Sequence, residues 1–121
     1  MTTIDHVCVH VLDLDRSAAF YRDALGLTPV RALDMPNRHW KLLFLGDGTT
    51  DFQLELCQET DRTEPYRLGN DTPHVALRAR DFDALKAKHR DQGLIFDELD
   101  SGIYFIQDPD GHILEILPPK Q

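Results

Sequence analysis

His6 and His74 are the first residues in this chain whose type and spacing suggest chemistry, because their surroundings repeat. Asp5-His6-Val7-Cys8-Val9-His10-Val11-Leu12-Asp13-Leu14-Asp15 is echoed by Pro73-His74-Val75-Ala76-Leu77-Arg78-Ala79-Arg80-Asp81-Phe82-Asp83. The offset of 68 residues, from 6 to 74 and again from 13 to 81, marks an internal duplication. Two glutamates join the pattern: Glu55 in Phe52-Gln53-Leu54-Glu55-Leu56, and Glu115 in Ile113-Leu114-Glu115-Ile116-Leu117. A carboxylate inside an apolar run is costly unless it is paired, hydrogen-bonded or bound to a cation. Two imidazoles and two carboxylates form a reasonable donor set for a borderline divalent metal such as Zn²⁺, Ni²⁺ or Fe²⁺.

Each of these residues alone has a plain structural reading, a packed strand histidine or a solvated glutamate. Matching His–Glu pairs in both halves of a duplication favour a site. His39, His89 and His112 have no such symmetry. His89 falls on a charged helix face and is expected to be exposed, while His112 alternates away from Glu115.

The elements that must carry these residues follow from periodicity. Residues 4–12 alternate, with Val7, Val9 and Val11 on one face of a strand and His6, Cys8 and His10 on the other. The valines are expected to face a packed layer. Asp13-Leu14-Asp15 then opens a helix, with Asp13 or Asp15 as N-cap and Gly26 as the left-handed stop. Three strands follow near 29–33, 39–45 and 51–57, with a turn at Gly46-Asp47-Gly48. The second half repeats the plan: a strand at 74–80, a helix at 84–92 ended by Gly93, and strands near 94–99, 103–107 and 112–117. Asp108-Pro109-Asp110-Gly111 makes the last turn. Each half reads strand–helix–three strands, and neither covers both faces of its own sheet. The expectation is one domain over 1–121, with modules at 1–58 and 73–118 and a polar linker at 59–72.

Composition sets the outer limits. The chain has 121 residues, a net charge of −8, 41% hydrophobic and 28% charged residues, the balance of a soluble globular protein. That acidity argues against nucleic acid or an anionic membrane as partner, since both need a basic face. No apolar stretch approaches the roughly 20 residues of a membrane span, and no signal peptide is visible at Met1-Thr2-Thr3-Ile4-Asp5. Cys8 and Cys57 are too few for a disulfide framework and fit buried thiols in a reducing cytoplasm.

In this order the motifs resemble the glyoxalase I branch of the vicinal-oxygen-chelate (VOC) superfamily over nearly the whole length. The resemblance is carried by His6 with Asp13-Leu14-Asp15-Arg16-Ser17 and Phe20-Tyr21, Leu25-Gly26-Leu27, Phe44-Leu45-Gly46 and Leu54-Glu55-Leu56. It continues through Tyr66-Arg67-Leu68-Gly69, His74, and Asp108-Pro109-Asp110-Gly111 before Glu115. It implies an α+β fold of two paired βαβββ modules forming a curled, cup-shaped mixed sheet, often completed in a homodimer. It also implies four metal ligands at His6, Glu55, His74 and Glu115. Glu55 separates glyoxalase I from fosfomycin-resistance enzymes and ring-cleaving dioxygenases, which lack a carboxylate ligand there, and from methylmalonyl-CoA epimerases, which typically carry glutamine. The short chain resembles the subgroup that prefers Ni²⁺ or Co²⁺ over Zn²⁺ or Fe²⁺.

The implied activity is that of a metal-dependent lyase of lactoylglutathione lyase type. It isomerises the hemithioacetal of a small 2-oxoaldehyde and a thiol through a metal-stabilised enediolate, with Glu115 or Glu55 as the base. The alternatives are another metal-dependent VOC enzyme, an epimerase or dioxygenase on a small non-glutathione substrate, or a drug- or metabolite-binding protein. Three positions depart from the family. Its glutathione-carboxylate arginine is His10 here, its asparagine four residues after the first glutamate is Glu59, and its lysine-bearing loop is shortened to Leu99-Asp100-Ser101-Gly102. Arg78, which shares a strand face with His74, is the expected replacement anchor for an anionic substrate.

Overall fold

The computed structural model describes residues 1–70 and 73–120; Asp71 and Thr72 of the expected linker, and Gln121, lie outside the described residues. The chain divides into two compact units, Met1–Arg67 and Leu68–Gln121. In the first, β1 (His6–His10), α1 (Leu14–Leu25), β2 (Thr28–Met35), β3 (Trp40–Gly46) and β4 (Gln53–Glu59) follow in order. In the second, β5 (His74–Arg78), α2 (Phe82–Asp91), β6 (Ile95–Glu98), β7 (Tyr104–Gln107) and β8 (Ile113–Leu117) repeat them. The sheet orders are β1-β4-β3-β2 and β5-β8-β7-β6. In both, the first strand runs parallel to the last and the other neighbours are antiparallel. The duplication seen in the sequence is therefore a duplication of topology, and the fold is α+β. Each four-stranded sheet is open, where the sequence led us to expect a curl.

Local chemistry explains the element ends. Asp13 accepts from the Arg16 amide at 3.0 Å and is the N-cap of α1. Gly26 closes that helix at φ 72°, and its amide reaches the Arg22 carbonyl at 2.9 Å. Helix α2 starts two residues earlier than its alanines suggested, at Phe82. The turn into β4 is tied by Asp47, whose Oδ1 accepts from the Thr49 and Thr50 amides at 2.8 and 2.7 Å. Its Oδ2 accepts from the Thr50 hydroxyl at 2.7 Å.

Burial departs from expectation at two further residues. Val7 is exposed, because β1 is an edge strand and only its end, at Val11, is fully covered. His89 is buried, with none of its surface exposed. It stands with Phe82 and Leu85 at i, i+3 and i+7 spacing, so it lies on the inner stripe of α2 despite the charged residues around it. Its Nδ1 meets the Tyr104 hydroxyl at 2.8 Å, and burial pushes that phenol up to about 12.

Removing the hydroxyl in Tyr104→Phe takes a partner from a buried imidazole and should cost about 1–3 kcal/mol, read by urea denaturation. The Asp47 carboxyl is held below its ordinary 3.8, first by the Thr50 amide. Its contribution is thus present above the unfolded-state value and lost as pH falls through the lower folded one. Asp47→Ala should lose about 0.5–1.5 kcal/mol at neutral pH. The gap to wild type should narrow in acid, followed by thermal melts across pH.

Candidate functional site

Strand alternation resolves the puzzle of a carboxylate in an apolar run. Leu54 and Leu56 are 4% and 0% exposed on the core face of β4, which turns Glu55 to the opposite face. Leu114 and Ile116 do the same for Glu115 on β8. The parallel registers then decide the neighbours. Cys8 lies opposite Glu55 and Ala76 opposite Glu115, so the even residues of β1 and β5 share a face with the glutamates.

In the first unit His6 Nε2 stands 3.2 Å from Glu55 Oε1, and in the second His74 Nε2 stands 3.3 Å from Glu115 Oε1. An aromatic ring backs each pair edge-on: Phe44 against His6 at 5.4 Å and Phe105 against His74 at 6.1 Å. Phe44 pairs with Glu55 across the sheet and Phe105 with Glu115, so the rings too are duplicated. The Arg31 guanidinium lies over Phe44, 4.4 Å from the ring centre.

The pairs differ in one respect. His6 Nδ1 lies 2.7 Å from the Asp5 carboxylate, an acceptor for its proton that would leave Nε2 to bind a cation shared with Glu55. The residue before His74 is Pro73, which offers no such acceptor. Sequence reading quoted Asp5 and Phe44 without a role and did not single out Phe105. Only the strand register shows what they touch.

A divalent ion bonds imidazole nitrogen and carboxylate oxygen at about 2.0–2.2 Å, which puts neighbouring donors roughly 3 Å apart. Both pairs have that spacing and the right atom types, so the residues fit such an ion. Within either unit, among the described residues, no group of three or more His, Cys, Asp and Glu stands ready as a fuller shell. Each unit contributes one His–Glu pair.

Further along the same face of the first unit, His10 Nδ1 is 3.8 Å from Glu59 Oε1. Glu59 Oε2 is 3.7 Å from an Arg62 amine. The Tyr66 ring packs edge-on to His10 at 5.5 Å and lies under Arg62. Its hydroxyl is buried beside the Glu59 backbone. Burial, and then the Glu59 charge, push that phenol up. Arg78, at the end of β5, is exposed and donates from Nη1 to the Pro118 carbonyl at 2.8 Å. Cys8 and Cys57 sit between the His6–Glu55 and His10–Glu59 contacts; Cys57 is buried as expected, whereas Cys8 is exposed, because β1 is an edge strand. Partial burial, the Glu55 charge and the neighbouring Cys57 push Cys8 up to about 12, so it is no thiolate nucleophile at neutral pH. His112 lies outside the pairs, its amide donating to Asp108 Oδ1 at 2.9 Å.

Residues 3–116 match the Glyoxalase/Bleomycin resistance protein/Dioxygenase superfamily, and the chain belongs to it. Membership implies a divalent metal. The chain is 33% identical to a lactoylglutathione lyase of Neisseria meningitidis serogroup A, over 95% of this chain and 89% of that protein. It is 35% identical to a probable lactoylglutathione lyase of Synechocystis sp., over 93% and 92%. Among solved structures, the trypanothione-dependent glyoxalase I of Leishmania major superposes with a TM-score of 0.86 at 32% identity, covering 98% of this chain and 87% of that one. Among the described residues no helix is long and apolar enough to cross a membrane.

Asp5→Ala removes the acceptor at His6 Nδ1. The expected outcome is a mixed tautomer at His6 and an unchanged one at His74, read from ring ¹⁵N shifts at fixed pH.

Proposed function

We propose that this chain is a metal-dependent lyase of lactoylglutathione lyase type, isomerising the hemithioacetal of a small 2-oxoaldehyde and a thiol. The observation that carries this reading is the His–Glu pair at 3.2 and 3.3 Å at the same topological place in both units. His6, Glu55, His74 and Glu115 would hold the ion, Ni²⁺ or Co²⁺ before Zn²⁺ or Fe²⁺, in a cytoplasmic homodimer. When bound, the ion supplies Lewis acidity that makes the C–H beside the substrate oxygens easier to ionise.

The chain's own groups do the rest. Glu115 or Glu55 accepts the proton from that carbon and returns it to the neighbouring one, leaving the thioester of a 2-hydroxy acid. Their side chains are 18% and 12% exposed, open enough to meet substrate and shielded enough to keep the proton from bulk water. Phe44 and Phe105 pack edge-on against the imidazoles and help to fix their orientation. Arg78 and His10, on the same strand faces as the histidines, would contact the substrate.

Calorimetric titration of metal-stripped protein with Ni²⁺, Co²⁺ and Zn²⁺ should show stoichiometric binding that Glu55→Gln and Glu115→Gln weaken. With methylglyoxal and a panel of thiols, ultraviolet absorbance should report thioester formation, reduced about 10²-fold or more in either variant. Absence of stoichiometric metal binding would sink the reading.

A further inference from the structure

We infer that Arg31 is a specificity-determining residue, an anchor for a carboxylate borne by the 2-oxoaldehyde. This rests on the lyase reading above and names the class of its oxoaldehyde. Arg31, Phe44 and Glu55 are successive partners across β2, β3 and β4, so Arg31 stands level with the glutamate of the first pair. Two strand spacings, about 10 Å, separate their backbones. The guanidinium leans across that gap and lies 4.4 Å from the centre of the Phe44 ring, which meets His6 edge-on at 5.4 Å. A shift of register between Pro29 and Arg31 precedes it, the device by which a strand re-aims a side chain. In the second unit β6 is irregular at the same place, between Ile95 and Asp97, and there Phe96 lies against Phe105 at 6.3 Å. The repeated irregularity sets a cation on the backing ring in one unit and an aromatic ring in the other.

The cation is available. Arg31 is exposed, and among the described residues its guanidinium makes no hydrogen bond or ion pair beyond its contact with the ring. Lying over a ring face, a guanidinium keeps the donors on its rim for a planar, bidentate acceptor, which a carboxylate is. Electrostatics gives that acceptor a reason to need Arg31. Glu55 and Glu59 share this face of the sheet, and the whole chain carries a charge of −8. A carboxylate arriving there meets like charge unless a cation receives it. Position decides which part of the substrate bears the group. Substituents of the oxoaldehyde stay beside the reacting carbon and so level with Glu55, whereas the chain of the thiol leads away from it. Arg31 faces the former.

Phenylglyoxal and 4-carboxyphenylglyoxal differ only in the proposed group. Initial rates on the Ni²⁺-loaded full chain, with the thiol of the panel that is turned over fastest, should give the carboxylated substrate a kcat/KM higher by about tenfold or more, carried by KM. Arg31→Gln should bring the two substrates within about threefold. Arg31→Lys, which keeps the charge without the bidentate fork, should fall between. Ni²⁺ affinity and circular dichroism should match wild type in both variants. Equal kcat/KM in wild type, or a ratio that survives Arg31→Gln, would overturn the anchor and leave the lyase reading standing. So would an effect of Arg31→Gln found instead on a preference for N-acetylcysteine over its amide, since the anchored carboxylate would then be the thiol's. If neither oxoaldehyde is isomerised with any thiol, the lyase reading and the anchor fall together.

Discussion

The interaction on which this protein depends is the contact between an imidazole on the first strand of a module and a carboxylate on its last. It exists because the first and last strands are parallel neighbours, which requires the helix to cross over between the first strand and the remaining three. Leu54 and Leu56, or Leu114 and Ile116, then seal the opposite face, so that core formation and site formation are the same event. A register slip of one residue would turn each glutamate into the core and each leucine out of it. The glutamate's cost in an apolar run is thereby limited to its own face, where the histidine meets it.

Much of this was legible in the chain because the duplication is written in residue types. The repeated His-Val and Asp-apolar-Asp, the alternation about Glu55 and Glu115 and the glycine after α1 are all local signals, and they place most elements within a few residues. What was not legible depends on contacts between elements. His89 looks exposed among Lys88, Arg90 and Asp91, yet its face of α2 is set by Phe82 and Leu85 and by the Tyr104 hydroxyl it meets. Val7 alternates like a core residue but belongs to an edge strand. The two backing phenylalanines emerge only from strand pairing, Phe44 from β3 with β4 and Phe105 from β7 with β8.

The two modules have diverged in what surrounds the shared pair. Asp5 meets the His6 ring at Nδ1, and among the described residues no matching carboxylate contact is seen at His74, which meets Phe105 and Glu115. The next even position of each first strand has diverged as well. Cys8 faces Glu55 in one module, and Ala76 faces Glu115 in the other. Four residues beyond each histidine the difference widens: His10 joins an ionic cluster, and Arg78 is tied to the Pro118 carbonyl.

That gradient separates constraint from freedom. The pair itself is repeated to within 0.1 Å, from 3.2 to 3.3 Å, although the residues around it have changed. The strand ends have been rewritten without disturbing it. Chemistry that needs two N/O donors at a set spacing tolerates little change at the pair, because a displacement of 1 Å would spoil the donor geometry for a small divalent ion. Recognition of a substrate tail tolerates more, because it resides in side chains at strand termini whose backbone hydrogen bonds do not depend on them. The strand ends can therefore change within this fold while the His–Glu pairs stay in place.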